Sequence, residues 1–369
     1  MLRAVISDKA GVIKWNGKRR SEICCIGTTR YSLSLVDYNI GGERPVETGG
    51  SVIVKLHDRS TPQPRRPPFQ HQAEHPHTPR SAQVDTRVPT LKGRLARFLG
   101  RNWARVGYAY HIEPTWLEIN RFDLPVRDLP DSFTGLKIAH LTDFHCGHQI
   151  PQGYLEDALA RTVAEKPDVI ALTGDFVHKG YRHVQAAADL VRHLKAPLGV
   201  YAVLGNHDFS VRNALGVRRY PGLHQAVADA LGAAGVQVLR NTAVRFDRAG
   251  GGLILAGVDD LWSRECDPQE ALAGGCPQTP RVVLAHNPQS VESFGDHRFD
   301  LVLSGHTHGG QVNWPGLGRI LLGRKAKRWA AGLYPHRDGH IYVNKGVGFG
   351  WRFRFGVRPE VAVFTLKPA

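Results

Sequence analysis

Five short apolar runs in this sequence each stop at a cluster of Asp, Asn or His, and that repetition constrains the fold more than any other feature. The clusters are Asp143-Phe144-His145, Gly174-Asp175, Gly205-Asn206-His207-Asp208, Ala285-His286-Asn287 and Gly305-His306-Thr307-His308-Gly309-Gly310. The runs ahead of them cover residues 136–141, 168–172, 198–204, 281–285 and 301–303. A short apolar run bounded by turn residues reads as a buried strand. Residues 154–165 and 184–194 carry apolar positions at helical spacing. Further strands are predicted over 236–239, 253–258, 340–343 and 361–366. Strand–helix alternation followed by strand-rich sequence predicts an α/β domain with packed sheets. Ligands of such sheets gather at the carboxyl ends of strands, so the five clusters are expected to converge on one site.

The residue types in the clusters suit metal ions. Asp143 and His145 are two apart, so an extended segment points both side chains the same way, and His306 and His308 repeat the spacing. Imidazole mixed with carboxylate favours Mn, Fe, Zn or a related ion over a purely oxygen-ligated one. Seven candidate ligands are too many for one tetrahedral ion and suit two ions that share a carboxylate. Two such ions about 3.5–4 Å apart can clamp a phosphoryl group and activate a water. The glycines beside the candidates let the backbone turn sharply and leave room for substrate.

The order of these clusters resembles that of the calcineurin-like metallophosphoesterases, whose pattern is D-x-H, GD, GNH[DE], an isolated His and GHxH. The matching positions are Asp143/His145, Asp175, Asn206–Asp208, His286 and His306/His308. The resemblance spans roughly residues 136–366 and implies a four-layer α-β-β-α sandwich of two sheets flanked by helices. It implies that Asp143, His145, Asp175 and His308 hold one divalent ion, Mn first and Fe or Zn next. Asp175, Asn206, His286 and His306 then hold the other, with Asp175 bridging. It further implies that His207 stabilises or protonates the leaving oxygen and that Asp208 orients His207.

Later segments resemble a bacterial, membrane-associated branch that includes hydrolases of UDP-2,3-diacylglucosamine. They are Gly309-Gly310-Gln311-Val312, Gly332-Leu333-Tyr334, Tyr342-Val343-Asn344-Lys345-Gly346-Val347-Gly348 and Arg358-Pro359-Glu360-Val361. The implied substrate is a phosphodiester or pyrophosphate, in a phosphorylated small molecule or a lipid-linked nucleotide sugar. Two alternatives stand beside it: a nuclease or cyclic-nucleotide phosphodiesterase, and a metal-stabilised scaffold without turnover. Two features depart from the branch. Cys146 stands where a small apolar residue is usual, and no signal or transmembrane anchor is expected ahead of the domain.

Charge divides the chain. Residues 1–111 hold 19 Lys/Arg against 8 Asp/Glu, and the remainder holds 29 against 25. Residues 57–90 read as linker, and Ser60 to Arg80 is dense in Pro, Gln, His and Arg, too poor in apolar surface to offset its ordering entropy. Residues 1–89 are therefore expected to be a largely disordered basic extension, either a solvated tail or a partner for polyanions. Residues 90–111 read as a basic amphipathic segment, with Leu91, Leu95, Phe98, Leu99 and Val106 on one side and Arg94, Arg97, Arg101 and Arg105 on another. It fits an anionic membrane surface or a packed surface helix equally. Residues 112–369 form the catalytic domain. No run is long and apolar enough to span a bilayer. The protein is expected in the cytoplasm, with peripheral contact at the inner face of the membrane.

The five cysteines show no CxxC pair and no disulfide framework, and Cys146 reads as a small buried thiol. Gly346–Gly350 lacks the strand–helix context of a dinucleotide site, and nucleic acid is an unfavoured partner. Trp351, Phe353 and Phe355 alternate with Arg352 and Arg354, which predicts an ordinary strand with one buried face. Lys325, Lys327 and Arg328 beside Trp329 read as a basic turn, and His148 as a surface residue.

Overall fold

The computed structural model describes residues 91–369 and, ahead of them, two short strands, β1 (Cys25–Ile26) and β2 (Thr29–Arg30), which pair antiparallel. The remainder of the expected 1–89 extension lies outside the described residues. Helix α1 (Leu91–His111) leads into the domain. Among the described residues no helix is long and apolar enough to cross a membrane.

Two six-stranded sheets make the centre. The first has the order β3-β14-β4-β5-β6-β7, from β3 (Glu118–Val126), β4 (Lys137–Leu141), β5 (Val169–Thr173), β6 (Val200–Val203), β7 (Gln237–Val238) and β14 (Glu360–Pro368). The second has the order β12-β13-β11-β10-β9-β8, from β8 (Thr242–Arg248), β9 (Gly251–Gly257), β10 (Arg281–Leu284), β11 (Leu301–Ser304), β12 (Gly332–His336) and β13 (Gly339–Val343). The strands carrying the polar clusters run parallel, β4 to β5 to β6 in one sheet and β10 to β11 in the other, where β9 also runs parallel to β10. Their carboxyl ends therefore lie on one side of each sheet.

Strand periodicity sorts the apolar residues into three layers. Ile138, Ala171, Val203, Leu255, Leu284, Leu303 and Phe364 form a core between the sheets. Their alternating neighbours Ala139, Leu172, Ala202 and Val363 pack outward against α2 (Gln152–Ala164), α3 (Val184–Val191) and α4 (Leu223–Ala233). Ala256, Val283, Val302 and Ile341 pack on the other side with Ala271 and Leu272 of α5 (Pro268–Leu272) and with Trp329, which follows α6 (Arg324–Arg328). A strand buried on both faces reads as a continuous apolar run, and this is why the central strands were legible. The arrangement is the four-layer α-β-β-α sandwich.

Several expectations need correction. Strands β3, β8 and β12 were not anticipated, because they are edge strands: the exposed faces of β3 and β8 carry charge, and Pro335 interrupts the apolar pattern of β12. The 351–355 segment is not a regular strand; Phe355 makes only an isolated bridge to Val312. Its burial is also inverted. Arg354 is fully buried and donates to the carbonyls of Lys345, Gly346 and Gly348, while Trp351 is exposed and stacks on Phe353. Cys146 is a buried thiol that burial pushes up to about 12, and His148 is exposed.

Candidate active site

The clusters leave the carboxyl ends of β4, β5, β6, β10 and β11 and meet in one cleft between the two sheets. The backbone there is unusual. Asp143, His145, Asp175, His306 and His308 all have φ between +45° and +69°. The extended geometry expected for Asp143 and His145 is therefore wrong: a left-handed residue at each end of the step turns the two side chains inward. That conformation costs a non-glycine residue roughly 1–2 kcal/mol, and it persists only where the surroundings over-determine it. Here they do. Asp143 N donates to Gly174 O at 2.9 Å, His145 N to Asp175 O at 2.8 Å, and Gly348 N to Asp143 O at 2.8 Å. Gly205 and Gly305 are required by crowding, since a Cβ on either would collide with the Asp175 or Asp143 carboxylate.

Each central carboxylate has one oxygen tied to backbone and one turned to the histidines. Asp143 Oδ2 accepts from His306 N at 3.0 Å, and its buried Oδ1 has no hydrogen-bond partner. That Oδ1 lies 3.3 Å from His308 Nε2 and 3.8 Å from His145 Nε2. Asp175 Oδ1 accepts from His207 N at 2.8 Å. Its Oδ2 stands between His145 Nε2 at 3.5 Å and His286 Nε2 at 3.4 Å. On the far side, Asn206 Oδ1 and His306 Nδ1 are 2.9 Å apart, with the Asn206 amide anchored by donation to Val211 O. All seven candidate ligands named from the sequence share this cleft.

These residues fit divalent cations. His145 Nε2 and His308 Nε2 lie 2.9 Å apart beside Asp143 Oδ1, where one cation or one shared proton can sit against both nitrogens. Burial holds both imidazoles well below their ordinary range, and His306 falls to about 3, so all three are neutral and have a lone pair to give. His286 Nδ1 lies 2.6 Å from Thr173 O and so must carry the proton, which leaves Nε2 turned to Asp175 without a partner. Burial opposes a charge on His286, yet Asp175, Asp143 and Asp260 around it overcome burial and raise it to about 10. The cleft thus attracts a proton where a metal would otherwise sit. Three sets of donor atoms lie within 4.8 Å of one another: Asp143/His145/His308, Asp143/Asp175/His286 and His145/His178/His207.

The third set includes His178, which no sequence motif marked. Its carbonyl accepts from His207 Nδ1 at 2.9 Å and from Arg212 Nη2 at 2.8 Å. The other guanidinium nitrogen of Arg212 donates to His207 Nε2 at 2.8 Å. A carbonyl can only accept and a guanidinium can only donate, so His207 is the neutral Nδ1–H tautomer here. Asp208 does not orient it. The Asp208 carboxylate turns away and accepts from Gly205 N at 2.9 Å and Val177 N at 3.2 Å. The reason is local: the backbone amides of Gly205 and Val177 take one oxygen each. Asp260, buried after β9 with Oδ1 unpartnered and pushed up to about 7 by burial, was also missed. A cation close behind Gly-Asn-His-Asp, and an acid pair closing an apolar run, were the only signals available for Arg212 and Asp260.

Comparison with known proteins agrees with this geometry. Residues 136–310 match the calcineurin-like phosphoesterase family. Phosphodiesterase YaeI of Escherichia coli is 35% identical over 261 residues, covering 70% of this chain and 92% of that protein. The uncharacterised metallophosphoesterase YkuE of Bacillus subtilis is 33% identical over 265 residues, covering 71% and 89%. UDP-2,3-diacylglucosamine pyrophosphatase LpxG of Chlamydia trachomatis is 29% identical over 306 residues, covering 69% and 91%. With its strand-end carboxylates and imidazoles gathered in one cleft, the chain belongs to the calcineurin-like phosphoesterases, hydrolases that work through a dinuclear divalent metal centre.

Proposed function

We propose that the protein hydrolyses a phosphodiester or pyrophosphate bond at this cleft. Asp143, His145, Asp175 and His308 hold one ion. Asp175, Asn206, His286 and His306 hold the other. The observation that carries the reading is the position of Asp175 Oδ2, which lies between His145 Nε2 and His286 Nε2 while Oδ1 is tied to backbone. When bound, the ions supply an activated water and neutralise charge on the phosphoryl oxygens. The mixed imidazole–carboxylate set favours Mn, then Fe or Zn.

His207 is the group that serves the leaving oxygen. Its Nδ1–H is fixed on His178 O, so Nε2 is the nitrogen that can hold and deliver a proton. Arg212 occupies that nitrogen in this structure and must give way when substrate arrives. Asp208 supports the turn that carries Asn206 and His207 rather than the imidazole itself.

The finer reading is an amphiphilic, lipid-linked nucleotide sugar such as UDP-diacylglucosamine, met at the inner face of an anionic membrane. Similarity to LpxG supports the substrate, and the basic α1 supports the membrane contact. Turnover with Mn²⁺ on bis-p-nitrophenyl phosphate, p-nitrophenyl phosphate, UDP-diacylglucosamine and single-stranded DNA tests the whole. The diester and the nucleotide lipid are expected to be cleaved fastest. Absence of turnover on all four would overturn the reading.

A further inference from the structure

A cavity of about 230 Å³ opens beside His306, walled by Trp262, Trp329 and Leu322 and by the amides Asn287 and Gln289. Most of its lining is apolar, but Asn287 is not. That residue is 1% exposed, and its Oδ1 accepts from Gln289 N at 3.0 Å. Its Nδ2 is buried and has no hydrogen-bond partner. A buried amide nitrogen with two hydrogens and no acceptor is a donor waiting for one. Trp262 stands edge-on to His306, with ring centroids 4.6 Å apart and an interplanar angle of 88°. The indole thus joins the cavity directly to the carboxylate–histidine cleft.

We propose that this cavity seats a nucleobase, borne by a substrate whose phosphate lies in the cleft beside His306; the proposal rests on the phosphoesterase reading. Flat aromatic walls favour a flat ring, because base and indole stack with little loss of conformational freedom. A base also carries ring carbonyls or ring nitrogens that accept from Asn287 Nδ2. An acyl chain would fill the same volume but leave that donor unpaired, which costs affinity. The cavity's position next to His306 matches the short reach from a nucleoside to its own phosphate.

The test measures calorimetric binding of uridine 5′-monophosphate, adenosine 5′-monophosphate and ribose 5-phosphate to the full chain loaded with Mn²⁺. At least one nucleotide is expected to bind roughly 10-fold or more tighter than ribose 5-phosphate, the scale of one stacked ring plus one satisfied donor. Asn287→Ala and, separately, Trp262→Leu should each remove most of that preference and leave ribose 5-phosphate binding unchanged. Two variants on different walls guard against one failing to fold. Equal binding of nucleotides and sugar phosphate, no binding of any, or a preference that survives both variants would overturn the subsite. Hydrolysis of bis-p-nitrophenyl phosphate by the wild type separates the two failures. Turnover without base preference sinks the cavity proposal alone, whereas no turnover sinks the phosphoesterase reading beneath it.

Discussion

The cleft and helix α1 sit at opposite ends of how completely neighbours determine a structure. In the cleft, five non-glycine residues hold left-handed backbone; Asp143, His145 and Asp175 are pinned by backbone hydrogen bonds between strand ends, and His306 by its amide on Asp143 Oδ2. In α1, Trp103 is 74% exposed, Arg101 and Arg105 are exposed, and Gly100 and Gly107 have open space around them. Its last turn is held: Ala109 is buried, Ala109 O accepts from Arg354 N, and Tyr108 meets Phe355 edge-on. The domain spends backbone strain where side chains must converge. It leaves aromatic and basic groups bare where no partner within the described residues covers them. Strain that is locally enforced marks chemistry; exposed aromatic surface marks contact with something else.

The largest effect is expected at the shared carboxylate. Asp175→Asn should keep the hydrogen bond from His207 N yet weaken both ion sites, and turnover should fall by more than about 10³-fold. Elemental analysis after Mn²⁺ loading should drop from two ions per chain. Two ions retained in the variant would break the claim that this carboxylate bridges. His207→Ala comes next, with metal content unchanged and turnover lowered by roughly 10²–10⁴-fold if the residue is a general acid. Esters with good leaving groups should lose less than alkyl esters. Equal losses would assign His207 an electrostatic role only.

Asp208 sharpens the contrast from the stability side. Asp208→Ala leaves the amides of Val177 and Gly205 without their acceptor, at about 1–3 kcal/mol for each buried donor. The melting temperature should fall well below that of His207→Ala, whose side chain is replaced without orphaning a buried backbone amide. A variant as stable as wild type but slow in turnover would restore the orienting role that the structure argues against.

The cleft and the bounds of α1 were largely legible in the sequence, and the surroundings of α1 were not, for a physical reason. Ligand-type residues placed at strand ends follow from a simple pattern: a short apolar run that stops at a polar side chain. That rule found Asp143, Asp175, His286 and His306 without any structure. It could not find His178 or Arg212, which reach His207 only through a loop-to-loop contact. Nor could it find the left-handed turns at His145 and His308, because imidazole carries no sign of its φ. The sequence reading also misjudged Arg354. Alternation predicted an exposed arginine between buried aromatics, but three carbonyls of the 345–348 loop make a better partner than water. For α1, periodicity showed two faces but not what they meet; of its described side chains, Arg101, Trp103 and Arg105 stay exposed.

That leaves the smallest effect on catalysis, which decides what the bare helix is for. If α1 docks on anionic lipid, its contribution should appear in location and hardly in turnover of a soluble ester. Each arginine near an anionic surface contributes about 1 kcal/mol, so Arg101→Gln with Arg105→Gln should weaken partition about 30-fold. Trp103→Ser should weaken it further, because an interfacial indole adds apolar burial that salt does not screen. Co-sedimentation of the full chain with phosphatidylserine-containing vesicles, at low and high salt, measures this directly. Arg105 also lies 5.9 Å over the Trp314 ring, a contact too exposed and distant to matter much for folding. The paired glutamine variant is therefore expected to melt like the wild type and to cleave bis-p-nitrophenyl phosphate at the same rate. Vesicle binding that persists in both variants would move the contact elsewhere, first to exposed Trp351 and its neighbour Arg352. No vesicle binding in the wild type would make α1 an ordinary surface helix, and a water-soluble nucleotide ester would then suit the cleft better than a lipid.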